Sequence, residues 1–289
     1  MGKVIIIHNQ KGGVGKTSMT YGLALELASR NYKILAIDCD GQANLTSDLL
    51  TAEQHKLIKR TLADALMARS RGDNVEMPIN NVRENLDLVP SSGSAAGIDI
   101  TLSRSKQPKA IFKSLLNSVR SRYDFILVDL APAAGLLAMN ILSSADFILI
   151  PALLDDNSYR GVISLFKFIE RYVPESGTST EHIGVVLNQY SLLSRLTRSV
   201  DVNFTKTLSS WILSAKIRRN VAVGVAMRQH VSFAEADPRC NAARDISSLA
   251  DEILAKLRMP TTDDGAINLQ PGDRLVINKN GIKIKRSNE

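Results

Sequence analysis

Lys11-Gly12-Gly13-Val14-Gly15-Lys16-Thr17 is the stretch on which the reading of this chain turns. Gly12, Gly13 and Gly15 let the backbone turn tightly and aim successive N–H groups inward. A helix starting just after such a turn adds partial positive charge at its N-terminus, which makes the loop an anion cradle. Lys16 is placed to reach the β- and γ-phosphates of a nucleotide, and the Thr17 hydroxyl to ligate Mg²⁺. Val14 and Ser18 complete the same cradle. The pattern Gly-x-x-x-x-Gly-Lys-Ser/Thr fails only at its first position, where Gln10 stands.

The context around the loop is as informative as the loop. Residues 3–8 form an apolar strand before it, and residues 17–29 carry a helical stretch after it. Further out, residues 33–38, 86–90, 125–129, 147–151 and 183–188 read as short strands. Helix-length segments lie between them at about 61–68, 108–122, 159–172 and 194–213. Several strand runs are continuously apolar rather than alternating, which fits strands buried on both faces. The expectation is an α/β fold: a doubly wound, mostly parallel sheet with helices on both faces.

A helix over 241–257, with Asp245 near its start and Lys256 and Arg258 near its end, suits the helix dipole and closes a domain spanning 1–259. Residues 260–289 form an extension of different character. Within it, Arg274 to Arg286 reads R-L-V-I-N-K-N-G-I-K-I-K-R, two alternating runs about Asn280-Gly281, which is a hairpin signal.

Composition narrows the class. With 44% hydrophobic and 22% charged residues in 289, the chain has the balance of a soluble globular protein. The longest apolar runs are strand-sized, so no membrane span is expected. Cys39 and Cys240 are too few for a disulfide framework or a thiolate zinc site, and a reducing cytoplasm is the simplest setting. Charge is more telling. The excess of 36 Lys+Arg over 29 Asp+Glu is +7, and residues 191–230 hold seven bases (Arg195, Arg198, Lys206, Lys216, Arg218, Arg219 and Arg228) against Asp201 alone. A basic cluster suits a polyanion, although such runs are often only a solvated face.

The second loop lysine, Lys11, resembles the early lysine of the deviant Walker A motif, K-G-G-x-G-K-T/S, of the ParA/MinD family. The resemblance extends over about 1–257. Asp38-Cys39-Asp40-Gly41-Gln42-Ala43-Asn44-Leu45-Thr46 is similar to the family switch D-x-D-P-Q-x-N-x-T, with Gly41 in place of Pro. The run from Tyr123 to Asp129 is similar to the Walker B strand, although Leu130-Ala131-Pro132 replaces the usual T/C-P-P. Gly184 to Tyr190 resembles the strand whose terminal Asn, here Asn188, lies near the adenine. Ile217-Arg218 stands where many members have Ile-Pro.

The resemblance implies an ATPase that uses ATP and Mg²⁺. It implies that Lys11 reaches the nucleotide of a partner in an ATP-dependent homodimer, with Gly12 near that interface. Asp40 would orient the attacking water, and Asp38 and Asp129 would support the metal with Thr17; on sequence alone Asp38 and Asp40 are exchangeable. DNA would be bound without sequence preference through Arg195, Arg198, Lys216, Arg218 and Arg219. The implied role is segregation of a plasmid or other DNA element on the nucleoid, with a ParB-like adaptor or centromere-binding protein stimulating hydrolysis. Residues 1–10 leave no room for a DNA-reading domain ahead of the loop, so operator binding is not expected. Positioning of a protein cargo, a MinD-like membrane regulator and a conjugative-transfer helper stay open as alternatives. The tail carries no amphipathic membrane helix beyond Met259.

Overall fold

The computed structural model describes residues 1–93, 97–105, 108, 110–172, 182–190, 204, 206–258, 274–278 and 281–285. In chain order the elements are β1 (Lys3–Ile7), α1 (Lys16–Ser29), β2 (Ile34–Cys39), α2 (Asn44–Leu49), α3 (Ala52–Lys56), α4 (Leu62–Ser70), β3 (Asn80–Arg83) and β4 (Leu86–Val89). Then follow α5 (Ile98–Ser103), α6 (Ile111–Asn117), β5 (Phe125–Leu130), α7 (Leu136–Leu142), β6 (Phe147–Ala152), α8 (Asp156–Tyr172) and β7 (His182–Tyr190). The last are β8 (Ile212–Arg218), α9 (Ala222–Gln229), α10 (Phe233–Ala236), α11 (Asn241–Arg258), β9 (Arg274–Asn278) and β10 (Gly281–Lys285).

Among the described residues, eight strands form one sheet in the order β3-β4-β2-β5-β1-β6-β7-β8. Every pairing in it is parallel except β3 with β4. β1 lies between β5 and β6, so strand order reverses beside it. Ligands of open α/β sheets bind at such a point, beyond the carboxyl ends of the strands. The ends of β1, β2 and β5 carry the glycine loop, Asp38 and Asp129 to that edge.

The period of two along β1 divides the core. Val4 and Ile6 face a layer containing Leu66, Leu102, Phe112, Ile141 and Phe166, from α4 to α8. Ile5 and Ile7 face a layer with Leu23, Ala226, Phe233 and Leu249, from α1 and α9 to α11. All four β1 side chains are fully buried, as the unbroken apolar run requires.

Three elements differ from the sequence expectation. The helix expected over 108–122 stops at Asn117 and gives way to a 3-10 turn at Arg120–Arg122. β3 joins antiparallel at the sheet edge, where Asn80-Asn81 carry no apolar signal. The helix expected over 194–213 is helical at 204 and 206–208 but ends before β8, which begins at Ile212, while residues 194–203 and 205 of that expectation lie outside the described residues. In β8, Leu213 and Ile217 are buried and Ser214 and Lys216 are exposed, a strand alternation weakened by the small Ala215 at its centre. The tail hairpin forms as expected, with Arg274 opposite Lys285 and Asn278 opposite Gly281. Among the described residues no helix is long and apolar enough to cross a membrane.

Candidate active site

The glycine loop leaves β1 and enters α1 through two left-handed residues, Gly13 (φ 72°) and Gly15 (φ 89°). Gly15 is required twice over. Its φ lies in the region L side chains avoid, and a Cβ there would stand 2.1 Å from Asn188 Nδ2. Asn188, at the end of β7, donates from that nitrogen to the Val14 carbonyl at 2.7 Å and is itself buried. The buried Val14 side chain and the Ser18 hydroxyl, which donates to the Gly15 carbonyl at 3.1 Å, hold the rest of the turn.

Lys16 is buried at the start of α1, its Nζ 3.3 Å from the Lys11 carbonyl. Burial pulls its pKa down, while the charges of Asp129 and Asp40 work the other way. Burial also pushes His8, at the end of β1, down to about 4, and the Lys16 charge acts in the same direction. His8 is therefore neutral at ordinary pH and adds no second cation beside Lys16.

Asp129 ends the apolar part of β5 and is almost fully buried. Its Oδ2 accepts from the Thr17 hydroxyl at 2.7 Å, while Oδ1 has no hydrogen-bond partner. Burial raises its pKa to about 7 against the opposing effects of the Thr17 bond and the Lys16 charge, and Asp38 and Asp40 push it further up. A buried carboxylate oxygen without a partner, beside a threonine hydroxyl, is a donor set that a hard divalent cation satisfies.

Cation binding requires the ionised carboxylate, so it must displace the proton held below about pH 7. Titrating Mg²⁺ in buffers of different ionisation enthalpy is expected to show close to one proton released at pH 6 and almost none above pH 8. Asp129→Asn should abolish that linkage; proton release independent of pH would contradict it.

Asp38 sits opposite Asp129 across the β2–β5 pair, with both of its oxygens engaged in hydrogen bonds. Its Oδ2 accepts from the Thr46 N–H at 2.9 Å and the Thr46 hydroxyl at 2.7 Å, and its Oδ1 from the Asp40 N–H at 3.0 Å. Thr46 in turn accepts from the Ser91 N–H. Asp38 is thus the buried anchor of the switch loop. Asp40 is half-buried and holds the Gln42 N–H at 2.9 Å through Oδ1. The two acids diverge: Asp38 turns inward to Thr46, while Asp40 holds the backbone of its own turn.

The comparisons with known proteins agree with this geometry. The AAA domain family model matches residues 2–180. A ParA family protein of Chlamydia pneumoniae is 30% identical over 89% of this chain and 99% of its own. This chain belongs to the ParA/MinD family of P-loop ATPases. The chromosome-partitioning ATPase Soj of Treponema pallidum is 29% identical over 89% of this chain and 98% of Soj. A Cyanothece McdA variant in complex with ATP superposes with a TM-score of 0.73 at 21% identity, covering 90% of this chain and 98% of McdA. Cobyrinic acid a,c-diamide synthase from Mycobacterium smegmatis, with bound ADP and magnesium, does so at 0.70 and 20%, covering 91% and 99%. At these identities the two structures report the shared fold.

Within this ParA-family chain several residues stand where the motif alone did not put them. Lys11 Nζ is bound by both oxygens of Asp155, at 2.7 and 2.8 Å, and by the Ser158 hydroxyl at 3.2 Å. Although burial works the other way, these bonds hold the Asp155 carboxyl below the usual range. Asn188 braces the phosphate loop in this structure, its amide nitrogen spent on Val14 and its oxygen on the Gln189 N–H.

The basic segment separates into unlike parts. Arg195 and Arg198 lie outside the described residues. Lys216 is exposed, with its ammonium 4.7 Å above the Tyr190 ring, and Arg219 is exposed. Arg218 does not offer a free charge: its N–H and guanidinium bind Asp245, 27 residues on in α11. Asp245, read from sequence as a helix-dipole carboxylate, is the neutralising partner. Gly12 has open space around a Cβ, so nothing within one chain demands a glycine there.

Proposed function

We propose that this chain is an ATP-dependent dimerising ATPase that binds DNA without sequence preference and drives segregation of a plasmid or other DNA element. The observation that carries the reading is Lys11: the second loop lysine is engaged by Asp155 and Ser158 rather than by its own phosphate cradle. That pair is partly exposed, and a phosphate could take the place of the Asp155 carboxylate. Lys11 is therefore available to a second nucleotide across a dimer. Open space at Gly12 gives a partner loop room to approach.

The chemistry follows from the side chains. Lys16 and the inward N–H groups hold the β- and γ-phosphates of ATP, and Thr17 with Asp129 would hold Mg²⁺. Bound there, Mg²⁺ supplies charge neutralisation between the phosphates. Asp40 orients the attacking water, fixed in place by the Asp38–Thr46 anchor behind it. His8, kept neutral, preserves the charge balance at Lys16.

The wet exterior of such a dimer would carry Lys216 and Arg219 to the DNA backbone, together with the arginines at 195 and 198. A ParB-like adaptor or centromere-binding protein would stimulate hydrolysis and release the complex from the nucleoid. The likeness to Soj of Treponema pallidum, a chromosome-partitioning ATPase, supports the segregation role.

The test is binding to random-sequence duplex with ATP, ADP and no nucleotide, beside flotation with anionic vesicles. DNA binding in ATP alone, falling steeply with salt and indifferent to sequence, is expected. Vesicle binding without DNA binding would overturn the reading in favour of the membrane alternative. Arg219→Glu should weaken DNA binding, while Arg218→Glu should act first on the β8–α11 junction and lower the melting temperature.

A further inference from the structure

A cleft opens between the C-terminal end of α4 and the α5–α6 segment. Its volume is about 490 Å³, within the range of small-molecule sites. Arg69 and Arg71 line it from the last turn of α4, Arg104 from the end of α5 and Ser114 from α6. Ala110 and Ile111 give it an apolar wall. Among the described residues no carboxylate lines it. No part of the lining belongs to the glycine loop, the switch or β5, so the cleft is separate from the nucleotide site.

The three guanidiniums are little committed elsewhere. Arg71 Nε stands 3.5 Å from a carboxylate oxygen of Asp73, and both side chains are well exposed, so that pair is weak. Arg69 makes one long bond, from Nη1 to the Asp73 carbonyl at 3.4 Å. Its Nε is buried without a hydrogen-bond partner. Arg104 is exposed, and no carboxylate among the described residues pairs with it. A guanidinium is a rigid fork of donors matched to phosphate or carboxylate oxygens. Three forks on one cavity exceed what a single carboxylate neutralises. A phosphate brings up to two charges and three strong acceptor oxygens. A concave site of this size takes a small molecule rather than the convex backbone of a duplex.

We propose that this cleft binds a small phosphate-bearing molecule, its phosphate oxygens held by Arg69 and Arg104. Ala110 and Ile111 offer a surface to an organic part where the phosphate carries one. The site is independent of the DNA-binding reading, since it lies outside residues 191–230.

The experiment is calorimetric titration of pyrophosphate, and separately of uridine diphosphate, into the full chain loaded with ADP and without added Mg²⁺. ADP keeps the glycine loop filled, so the heat reads the second site. Saturable binding of one ligand per chain is expected. Tighter binding of uridine diphosphate than of pyrophosphate would identify an organic phosphate as the source, and equal affinity an inorganic one; either supports the site. Arg104→Gln, at an exposed position, should weaken binding by about 10–100-fold, the effect of one charge-assisted bond. Arg69→Gln should do the same, with ADP affinity and melting temperature reporting that the fold is kept. A control, Arg239→Gln with Arg244→Gln, removes two exposed charges elsewhere and should change nothing. Absence of binding to the ADP-loaded chain overturns the proposal. So does binding unchanged in Arg104→Gln, or weakened equally in the control, since net charge then explains it. Displacement of pyrophosphate by random-sequence duplex also overturns it, because the cleft would then belong to a nucleic-acid surface.

Discussion

Lys16→Ala is expected to weaken nucleotide binding by about 10²–10⁴-fold. The lysine is buried at the mouth of α1, and each charge-assisted hydrogen bond it makes to phosphate is worth about 1.5–3 kcal/mol. Two such bonds set the range. The loss is not one of folding, because burial already disfavours the cation in the folded chain and its removal relieves that strain. Calorimetric titration of ATP should show the loss while the melting temperature of the protein alone holds or rises. Retained affinity would show that the N–H cradle carries binding without the lysine.

Asp40→Ala is expected to lower the rate of ATP hydrolysis by about 10²–10³-fold while ATP still binds. Positioning of a nucleophile by a general base contributes on that scale. Asp40 is half-buried, its contacts are to backbone within its own turn, and the anchor of the loop is Asp38. Deleting the Asp40 carboxylate therefore leaves the loop held by Thr46 and removes a negative charge near the phosphates. The ATP-bound state should accumulate. Single-turnover hydrolysis at the normal rate would transfer the role to another group. Asp38→Ala should behave differently, costing stability as well as turnover, since it strips partners from two buried donors on Thr46 and from the half-buried Asp40 N–H.

The contrast between these two acids shows what the sequence could and could not carry. The glycine loop was legible because three glycines, a lysine and a threonine between a strand and a helix have one common physical use. The central strands were legible because burial on both faces leaves an unbroken apolar run. β8 was not, since its alternation passes through Ala215 and it follows Trp211 without a turn signal. Arg218 was counted as a free charge because charge counting along a chain cannot see Asp245, which the packing of α11 on β8 brings to it. Lys11 with Asp155 and Asn188 with Val14 are likewise contacts between distant segments. Asp38 and Asp40 are two residues apart, yet only the fold shows that one points inward to Thr46 and the other does not.

The central claim is that ATP closes two copies of this chain around Lys11. Light scattering of Asp40→Ala with ATP, in the presence and absence of Lys11→Ala, tests it most directly. The account predicts a mass near twice 31.6 kDa for Asp40→Ala in ATP and the single-chain mass in ADP. Adding Lys11→Ala should return the ATP sample to the single-chain mass. A Lys11→Ala protein that binds ATP and still doubles its mass would contradict the account.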